Sequence, residues 1–318
     1  MSKVRLAIAL IALSVATVVW AVPGGIAHRR LQPQFEAQSQ FRGDGQSRFQ
    51  SAQSLSPVKL RDGRDGLTAD VWLNGAGPFV FAIDTGAGVS LITRNVVDRA
   101  RLQVNKSRRT LVGGLSTAPI SSDQETRLSD LALGTPGNRI STHAIAAVVS
   151  TLPGSIDGIL DPTGVFSPLG YTVDLPNHEL RVFEGRLRAN ENPPGGAVVR
   201  WIGNDRPMVR LSNGDLALID TGSGFGLAVT NARVVTVGGR NHGDPENRND
   251  LGGGRVQSRE ISPQRVSIGA LVLNGVPADV LTGVAPGTPT ILGRRALFPF
   301  RITFDPVARL ISFEPAER

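Results

Sequence analysis

The sequence predicts a mostly β protein in which one structural unit occurs twice. Short apolar runs alternate with turn signals along most of the 318 residues, which include 37 glycines and 21 prolines. Only two stretches, near 95–102 and 294–297, favour a helix. The tripeptide Asp-Thr-Gly ends an apolar strand at Asp84 and does so again at Asp220. We therefore expect a mostly β fold built from two duplicated halves.

The N-terminal residues 1–27 have the pattern of an export segment. Lys3 and Arg5 precede an uncharged, mostly apolar run over 6–22, which is typical of a signal peptide. A membrane-spanning helix needs about 20 apolar residues, so the run is also close to the length of a membrane anchor. We expect an exported protein, periplasmic or secreted, that either loses this segment or is anchored to the membrane by it.

Residues 28–57 are rich in glutamine and serine and show no sustained hydrophobic period. Such a composition buries too little apolar surface to offset the entropy of an ordered chain. We expect a disordered spacer between the export segment and the first strand, with a short prosegment as the alternative.

The first half of the protein is expected to be a domain over 58–184. It begins with two apolar strands joined by an Asn-Gly turn at 74–75, a strong hairpin signal. The second of these strands ends at Asp84. An apolar pair followed by an acid, Ile-Leu-Asp at 159–161, comes later, and a closing pair of strands is predicted over 171–183.

The second half of the protein, over 198–318, repeats this plan after a linker at 185–197 that is rich in proline and glycine. The corresponding Asn-Gly turn, aspartate, apolar pair and closing strands lie at 213–214, Asp220, 291–293 and 302–313. The landmarks recur in the same order, at separations of 131 to 139 residues. A duplicated unit is the economical explanation of this spacing.

The composition excludes several classes of function. With 0 cysteines, the chain has no disulfide, no thiol nucleophile and no thiolate metal site. Of the net charge of +7, most lies in residues 1–65, which carry nine Lys/Arg against four Asp/Glu. The basic residues farther along are scattered, unlike those of a nucleic-acid-binding surface. We expect no metal, no cofactor and no nucleic-acid partner.

The paired Asp-Thr-Gly motifs resemble those of the retropepsin-like aspartic proteases of bacteria, here with two Asp-Thr-Gly lobes in one chain. The phrase NGAGPFVFAIDTGAG carries this resemblance most clearly, and the similarity extends over about residues 66–315. It implies a bilobal pepsin/retropepsin-like acid protease fold, with two duplicated β-barrel-like lobes and the active site between them. It also implies the activity of an aspartic endopeptidase, a peptide or protein substrate in extended conformation and a monomer with an internal pseudo-dimer.

The chemistry explains why one aspartate is needed from each half. Peptide hydrolysis by water requires a base that activates the water and an acid that protonates the leaving nitrogen. Two adjacent carboxyls that share one proton supply both, which makes Asp84 and Asp220 the predicted catalytic residues. The predicted supporting loops are Thr85, Gly86 and Ala87 in the first half and Thr221, Gly222 and Ser223 in the second.

The resemblance implies that the hydroxyls of Thr85 and Thr221 bond across to the opposite half. The apolar pairs are expected to pack beneath these loops, and the glycine after each threonine is expected to provide a sharp turn. Flaps over the substrate are predicted at four glycines. These are Gly113, Gly114, Gly252 and Gly253.

Two further expectations come from differences between the copies. Asp161 stands where the resemblance leads one to expect glycine, which casts doubt on the packing under the first loop. Ser223 follows the second motif where Ala87 follows the first. A Ser223 hydroxyl bonded to Asp220 favours the ionised form of that carboxyl, so we expect the shared proton on Asp84.

Two other functions are compatible with parts of the sequence. An exported peptide-binding or scaffold module could keep the fold while its protease-like site is degenerate. A serine hydrolase is a weaker alternative, because no Gly-x-Ser-x-Gly motif surrounds any serine.

Overall fold

The computed structural model describes residues 55–113, 115–116, 120–203, 206–230, 244–249 and 254–316. The export segment predicted at 1–27 and nearly all of the spacer predicted at 28–57 lie outside these residues and remain predictions. Within the described residues, no helix combines the length and apolar composition needed to cross a membrane. These residues are mostly β, as the sequence predicted.

The strands of the first half are short and follow one another closely. They are β1 Val58–Lys59, β2 Arg61–Gly63, β3 Gly66–Leu73, β4 Ala76–Ile83, β5 Ser90–Thr93, β6 Val104–Gly113, β7 Ile120–Arg127, β8 Asp130–Leu133, β9 Arg139–Ser141, β10 Ile145–Val149, β11 Gly158–Leu160, β12 Gly170–Asp174 and β13 Glu179–Phe183. Two helices interrupt them, α1 Arg94–Ala100 and α2 Pro162–Phe166.

Within the described residues, the second half contributes ten further strands. They are β14 Ala197–Arg200, β15 Met208–Arg210, β16 Leu216–Asp220, β17 Leu227–Thr230, β18 Glu246–Asn249, β19 Arg255–Ile268, β20 Leu271–Thr282, β21 Thr290–Gly293, β22 Phe300–Asp305 and β23 Leu310–Pro315. One helix, α3 Arg294–Leu297, follows β21.

The main sheets of the two halves share one strand order. In the first half, neighbouring strands run β3-β4-β11-β5-β10-β7-β6, with β8 and β9 added beyond β3 and β2 pairing with β3. In the second half the order is β15-β16-β21-β17-β20-β19-β18. The directions also agree: the pairs β4–β11 and β5–β10 are parallel, as are β16–β21 and β17–β20. The duplication inferred from the sequence therefore extends to the topology.

A third sheet joins strands from both halves, in the order β1-β13-β12-β22-β23-β14. Its central pair is β12 with β22, where Tyr171 lies opposite Phe304. The two rings stack with centroids 4.7 Å apart, and the Tyr171 side chain is fully buried. The predicted closing strands thus form one continuous sheet, and a buried aromatic pair packs at the junction.

Turn chemistry explains the first hairpin. Asn74 and Gly75 adopt φ values of 49° and 76° between β3 and β4. Positive φ at both central residues is the requirement of a type I′ turn, and Asn-Gly meets it at low cost. The predicted hairpin is confirmed.

Helix α2 was not predicted. Asp161 is its N-cap, and its side chain accepts hydrogen bonds from the amides of Thr163 (3.0 Å) and Gly164 (3.3 Å). Pro162 occupies the first helical position, where a backbone amide would have no partner inside the helix. Its missing amide hydrogen therefore costs nothing there. Five residues are too few to show helical periodicity, so only the Asp-Pro start signal could have revealed the helix.

Candidate active site

Both candidate catalytic aspartates lie at the end of the corresponding strand of their sheet. The amide of Asp84 donates to the carbonyl of Leu160 (3.0 Å), and Asp220 is aligned with Gly293 of the neighbouring parallel strand β21. Their exposed fractions are 9% and 7%. The two carboxyls are within hydrogen-bonding reach of each other. The structure therefore brings the two predicted residues together in one buried pair.

The glycine of each motif packs against the carboxyl of the opposite half. A Cβ atom added to Gly86 would lie 2.7 Å from Cγ of Asp220, and one added to Gly222 would lie 2.4 Å from Cγ of Asp84. Neither glycine adopts a positive φ. The chain turns at Thr85-Gly86 as expected, and the Gly86 amide donates to Asp84 (2.8 Å). The close approach of the opposite carboxyl is the further reason for glycine at these positions.

The two threonines connect the loops through four hydrogen bonds. The Thr85 hydroxyl donates to the carbonyl of Ile219 (2.7 Å) and accepts from the amide of Thr221 (3.0 Å). In the reverse direction, the Thr221 hydroxyl donates to the carbonyl of Ile83 (3.1 Å) and accepts from the amide of Thr85 (3.2 Å). Both side chains are fully buried. This reciprocal network fixes one carboxyl relative to the other.

The network should contribute measurably to stability. Thr85→Val keeps the shape of the side chain but leaves a buried carbonyl and a buried amide with fewer partners, so we expect a loss of about 2–3 kcal/mol. Thr85→Ser keeps the hydroxyl and should lose only about 1 kcal/mol from the missing methyl group. Urea unfolding of both variants is the measurement, and equal free energies of unfolding for Val and Ser would contradict the assigned role of the hydroxyl.

The two carboxyls differ in their electrostatic surroundings. Burial raises the pKa of Asp84, but the Gly86 amide (2.8 Å) and the charge of Arg294 oppose the increase. Burial and the adjacent Asp84 carboxylate hold the pKa of Asp220 well above its ordinary value. The two carboxyls share one proton and titrate as a unit, and the Arg294 charge favours ionisation of Asp84.

The Ser223 hydroxyl does not make the hydrogen bond to Asp220 from which we expected the shared proton to reside on Asp84. The hydroxyl accepts a hydrogen bond from the amide of Phe225 (3.3 Å). The backbone amide of Ser223, rather than its hydroxyl, donates to Asp220 (2.9 Å). The main difference between the carboxyls is instead the positive charge near Asp84, which the comparison of Ala87 with Ser223 could not reveal.

Arg294 is a site residue that the sequence analysis missed. Its guanidinium donates to the carbonyls of Thr221 (3.1 Å) and Gly222 (3.2 Å), and its Nε lies 3.7 Å from a carboxylate oxygen of Asp62. Only 14% of the side chain is exposed. Arg294 thus connects the second Asp-Thr-Gly loop to strand β2 of the first half. The sequence feature that could have identified it is an arginine directly after the Ile-Leu-Gly of the second copy.

Asp161 occupies its position without disturbing the first loop. The equivalent Gly293 has no room for a side chain, because a Cβ there would lie 2.5 Å from the carbonyl oxygen of Phe225. In the first half, the Asp161 amide donates to the Ser90 hydroxyl (3.0 Å), and the carboxyl caps α2. The packing under the first loop is therefore intact, contrary to the doubt raised by the sequence.

A cavity of about 860 Å³ lies above the carboxyl pair. Apolar side chains from the first half line part of it: Ala87, Val89, Leu91 and Ile159. Leu115, beyond the end of β6, also lines it, and its carbonyl accepts from the amide of Ala285 in the second half (2.8 Å). Of the predicted flap glycines, Gly113 ends β6, whereas Gly114, Gly252 and Gly253 lie outside the described residues.

Comparison with known proteins agrees with the motif analysis. Residues 69–161 match the family model of the aspartyl proteases. The resemblance to retropepsin-like aspartic proteases is thereby confirmed, and the match spans the first half from within β3 to the N-cap of α2. No curated protein matches the chain.

Proposed function

We propose that this chain, a retropepsin-like aspartic protease by its motifs and its family match, is an endopeptidase that uses Asp84 and Asp220 as its catalytic dyad. The observation that carries the proposal is the buried pair of carboxyls, each resting on the glycine of the opposite Asp-Thr-Gly loop. The shared strand order of the two main sheets supports a pepsin-like arrangement of two lobes with the cleft between them.

The Arg294 charge, which favours the ionised form of Asp84, supports the role of base for Asp84 and of acid for Asp220. The Asp84 carboxylate takes a proton from a water molecule whose oxygen attacks the scissile carbonyl carbon, while Asp220 gives its proton to the carbonyl oxygen. In the second step, Asp84 passes its proton to the peptide nitrogen as the C–N bond breaks. Asp220 then recovers a proton from a hydroxyl of the tetrahedral intermediate. Each carboxyl thus ends in its starting state, ready for another cycle.

The cavity supports binding of an extended peptide. Apolar side chains lie beside the first loop, and Leu218 and Phe225 line the wall contributed by the second half. An extended chain turns successive side chains to opposite sides, so residues next to the scissile bond reach the walls of the two halves alternately. The N-terminal sequence pattern supports export, so the substrate would be a protein outside the cytoplasm.

Digestion of a denatured protein across a range of pH tests this function. We expect the wild-type chain to cleave the substrate at internal bonds and Asp220→Ala to leave it intact under the same conditions. Mass spectrometry of the products distinguishes internal cleavage from trimming of the ends. A wild-type protein that binds unfolded chains at every pH but cleaves none of them would favour the peptide-binding or scaffold module instead.

The Arg294 charge should set part of the pH dependence. Because this charge lowers the pKa of Asp84, Arg294→Gln should raise it, and the base would then lose its proton only at higher pH. We expect the acidic limb of the kcat/KM profile to move to higher pH in Arg294→Gln, measured on one peptide. Arg294→Lys keeps the positive charge, so its acidic limb should move less. Identical acidic limbs in the wild type and both variants would show that the Arg294 charge does not affect the pKa of Asp84.

A further inference from the structure

Among the residues that the structure describes, the walls of the active-site cavity carry more positive than negative charge. Five arginines line it, in contrast to three aspartates, two of which form the dyad and share a proton. The arginines are Arg64, Arg206, Arg248, Arg294 and Arg295. The third aspartate, Asp65, accepts hydrogen bonds from the amide (3.3 Å) and hydroxyl (3.0 Å) of Ser155 and thus serves the loop beside it.

Three of these arginines have partners in the protein. Arg294 is bound to backbone carbonyls of the second loop, and Arg248 pairs with Glu246 at 2.8 Å. Arg295 lies near enough to the buried Asp279 that its charge lowers the pKa of that carboxyl. Their positive charges are therefore partly compensated within the protein.

Arg64 and Arg206 are different, because both are exposed and neither has an ion pair within the described residues. Arg64 lies in the turn before β3, and Arg206 lies in the turn before the equivalent strand β15. Each turn approaches the Asp-Thr-Gly loop of the opposite half: a Cβ on Gly66 would lie 3.8 Å from the carbonyl of Gly222, and one on Gly88 would lie 3.1 Å from Cγ of Arg206. Among the described residues, each half therefore contributes to the cavity one exposed arginine without an ion pair.

We infer that the cleft selects peptides that carry an aspartate or glutamate side chain on either side of the scissile bond, and that Arg64 and Arg206 recognise these carboxylates. The inference rests on the proposed function, because it takes the occupant of the cleft to be an extended peptide. Because both arginines line the same cavity as the dyad, the acidic residue would lie within a few positions of the bond.

The charge distribution explains why an acid should be preferred over other polar residues. Asparagine and glutamine can accept hydrogen bonds from a guanidinium, but only a carboxylate compensates its charge and can bind it through two parallel hydrogen bonds. A lysine at the same position would add to an excess of positive charge. Because the arginines are exposed, each contact should change the specificity constant by a modest factor and weaken as salt is added.

Matched peptides with an apolar scissile pair test this inference. Three versions carry Glu, Gln or Lys at the third position on one side of the bond, and a second set varies the other side. We expect wild-type kcat/KM to fall in the order Glu, Gln, Lys, with about three- to fivefold between Glu and Gln on each side at low salt. Arg206→Gln should abolish the Glu–Gln difference on one side, and Arg64→Gln should abolish it on the other.

Charge reversal and a distant control make the experiment specific. Arg206→Glu should favour the Lys peptide over the Glu peptide on the affected side, as measured by the ratio of their two kcat/KM values. Arg200→Gln removes an exposed arginine from β14, in the sheet shared by the halves, and should leave all preferences as in the wild type. Equal cleavage of all three peptides by the wild type would overturn the inference and leave the proposed protease activity intact.

Peptide binding separates this inference from the proposed activity. If no peptide is cleaved, fluorescence anisotropy of labelled peptides measures affinity directly. Tighter binding of the Glu peptide that is lost in Arg206→Glu would support recognition of acidic peptides in a protein that is not a protease. Equal binding of the three peptides would overturn the inference.

Discussion

Asp84→Asn is expected to reduce kcat/KM for peptide hydrolysis by about 10³-fold or more, and Asp220→Asn should do the same. In Asp84→Asn, no carboxylate remains in the position that receives the proton of the attacking water. In Asp220→Asn, the scissile carbonyl loses its proton donor. Neither remaining carboxyl can perform both transfers, because each step needs one protonated and one ionised group at the same time.

Stability measurements distinguish this loss of activity from unfolding. Burial raises the pKa of both aspartates, so a neutral amide removes a buried charge, and neither variant should have a lower Tm than the wild type. Asp130→Asn is a matched control, because Asp130 is an exposed aspartate paired with Arg139 away from the cavity. Near-wild-type turnover by either dyad variant would show that the reaction uses another group.

The sequence was sufficient to predict features that depend on local chemistry or on repetition. The Asn74-Gly75 hairpin was predictable because its φ values are intrinsic to that pair of residues. The equivalence of the two sheets was predictable because landmarks recur at a nearly constant separation. The meeting of Asp84 with Asp220 was inferred from the need for one carboxyl from each half, which is a chemical argument that needs no knowledge of the strand order.

Other features depend on contacts between distant parts of the chain. Arg294 affects Asp84 through space, across the boundary between the halves, and no spacing in the sequence indicates which carboxyl it faces. The direction of the Ser223 hydroxyl depends on the turn that brings the Phe225 amide towards it. The pairing of β12 with β22 could not be predicted from alternation alone, which identifies strands but not their neighbours.

Asp161 has a consequence for stability that was likewise invisible in the sequence. Its carboxyl is 5% exposed, and burial, together with the nearby Asp84 charge, raises its pKa to about 7. The helix-capping hydrogen bonds from Thr163 and Gly164 oppose this increase only in part. In the unfolded chain, the same carboxyl has a pKa of about 3.9.

The difference makes the protein less stable as the pH rises. A carboxyl with a higher pKa in the folded state holds its proton more tightly when folded. The stabilisation that Asp161 gains from holding its proton is therefore present in full below about pH 4. It declines as the pH rises towards 7. A difference of about three pKa units corresponds to at most about 4 kcal/mol, which is a large part of the stability of a typical domain.

Asp161→Asn should remove this dependence while preserving the helix cap, because asparagine is as good an N-cap residue as aspartate. We expect the variant and the wild type to have similar free energies of unfolding at pH 4. At pH 8, the variant should be the more stable protein by up to about 4 kcal/mol. Urea unfolding at several pH values gives the difference directly, and pH effects from the dyad, common to both proteins, largely cancel.

Asp161→Ala, which lacks the cap, should be about 1 kcal/mol less stable than Asp161→Asn at every pH. A wild-type-to-Asn difference that stays constant from pH 4 to pH 8 would mean that Asp161 titrates as an ordinary, hydrated aspartate.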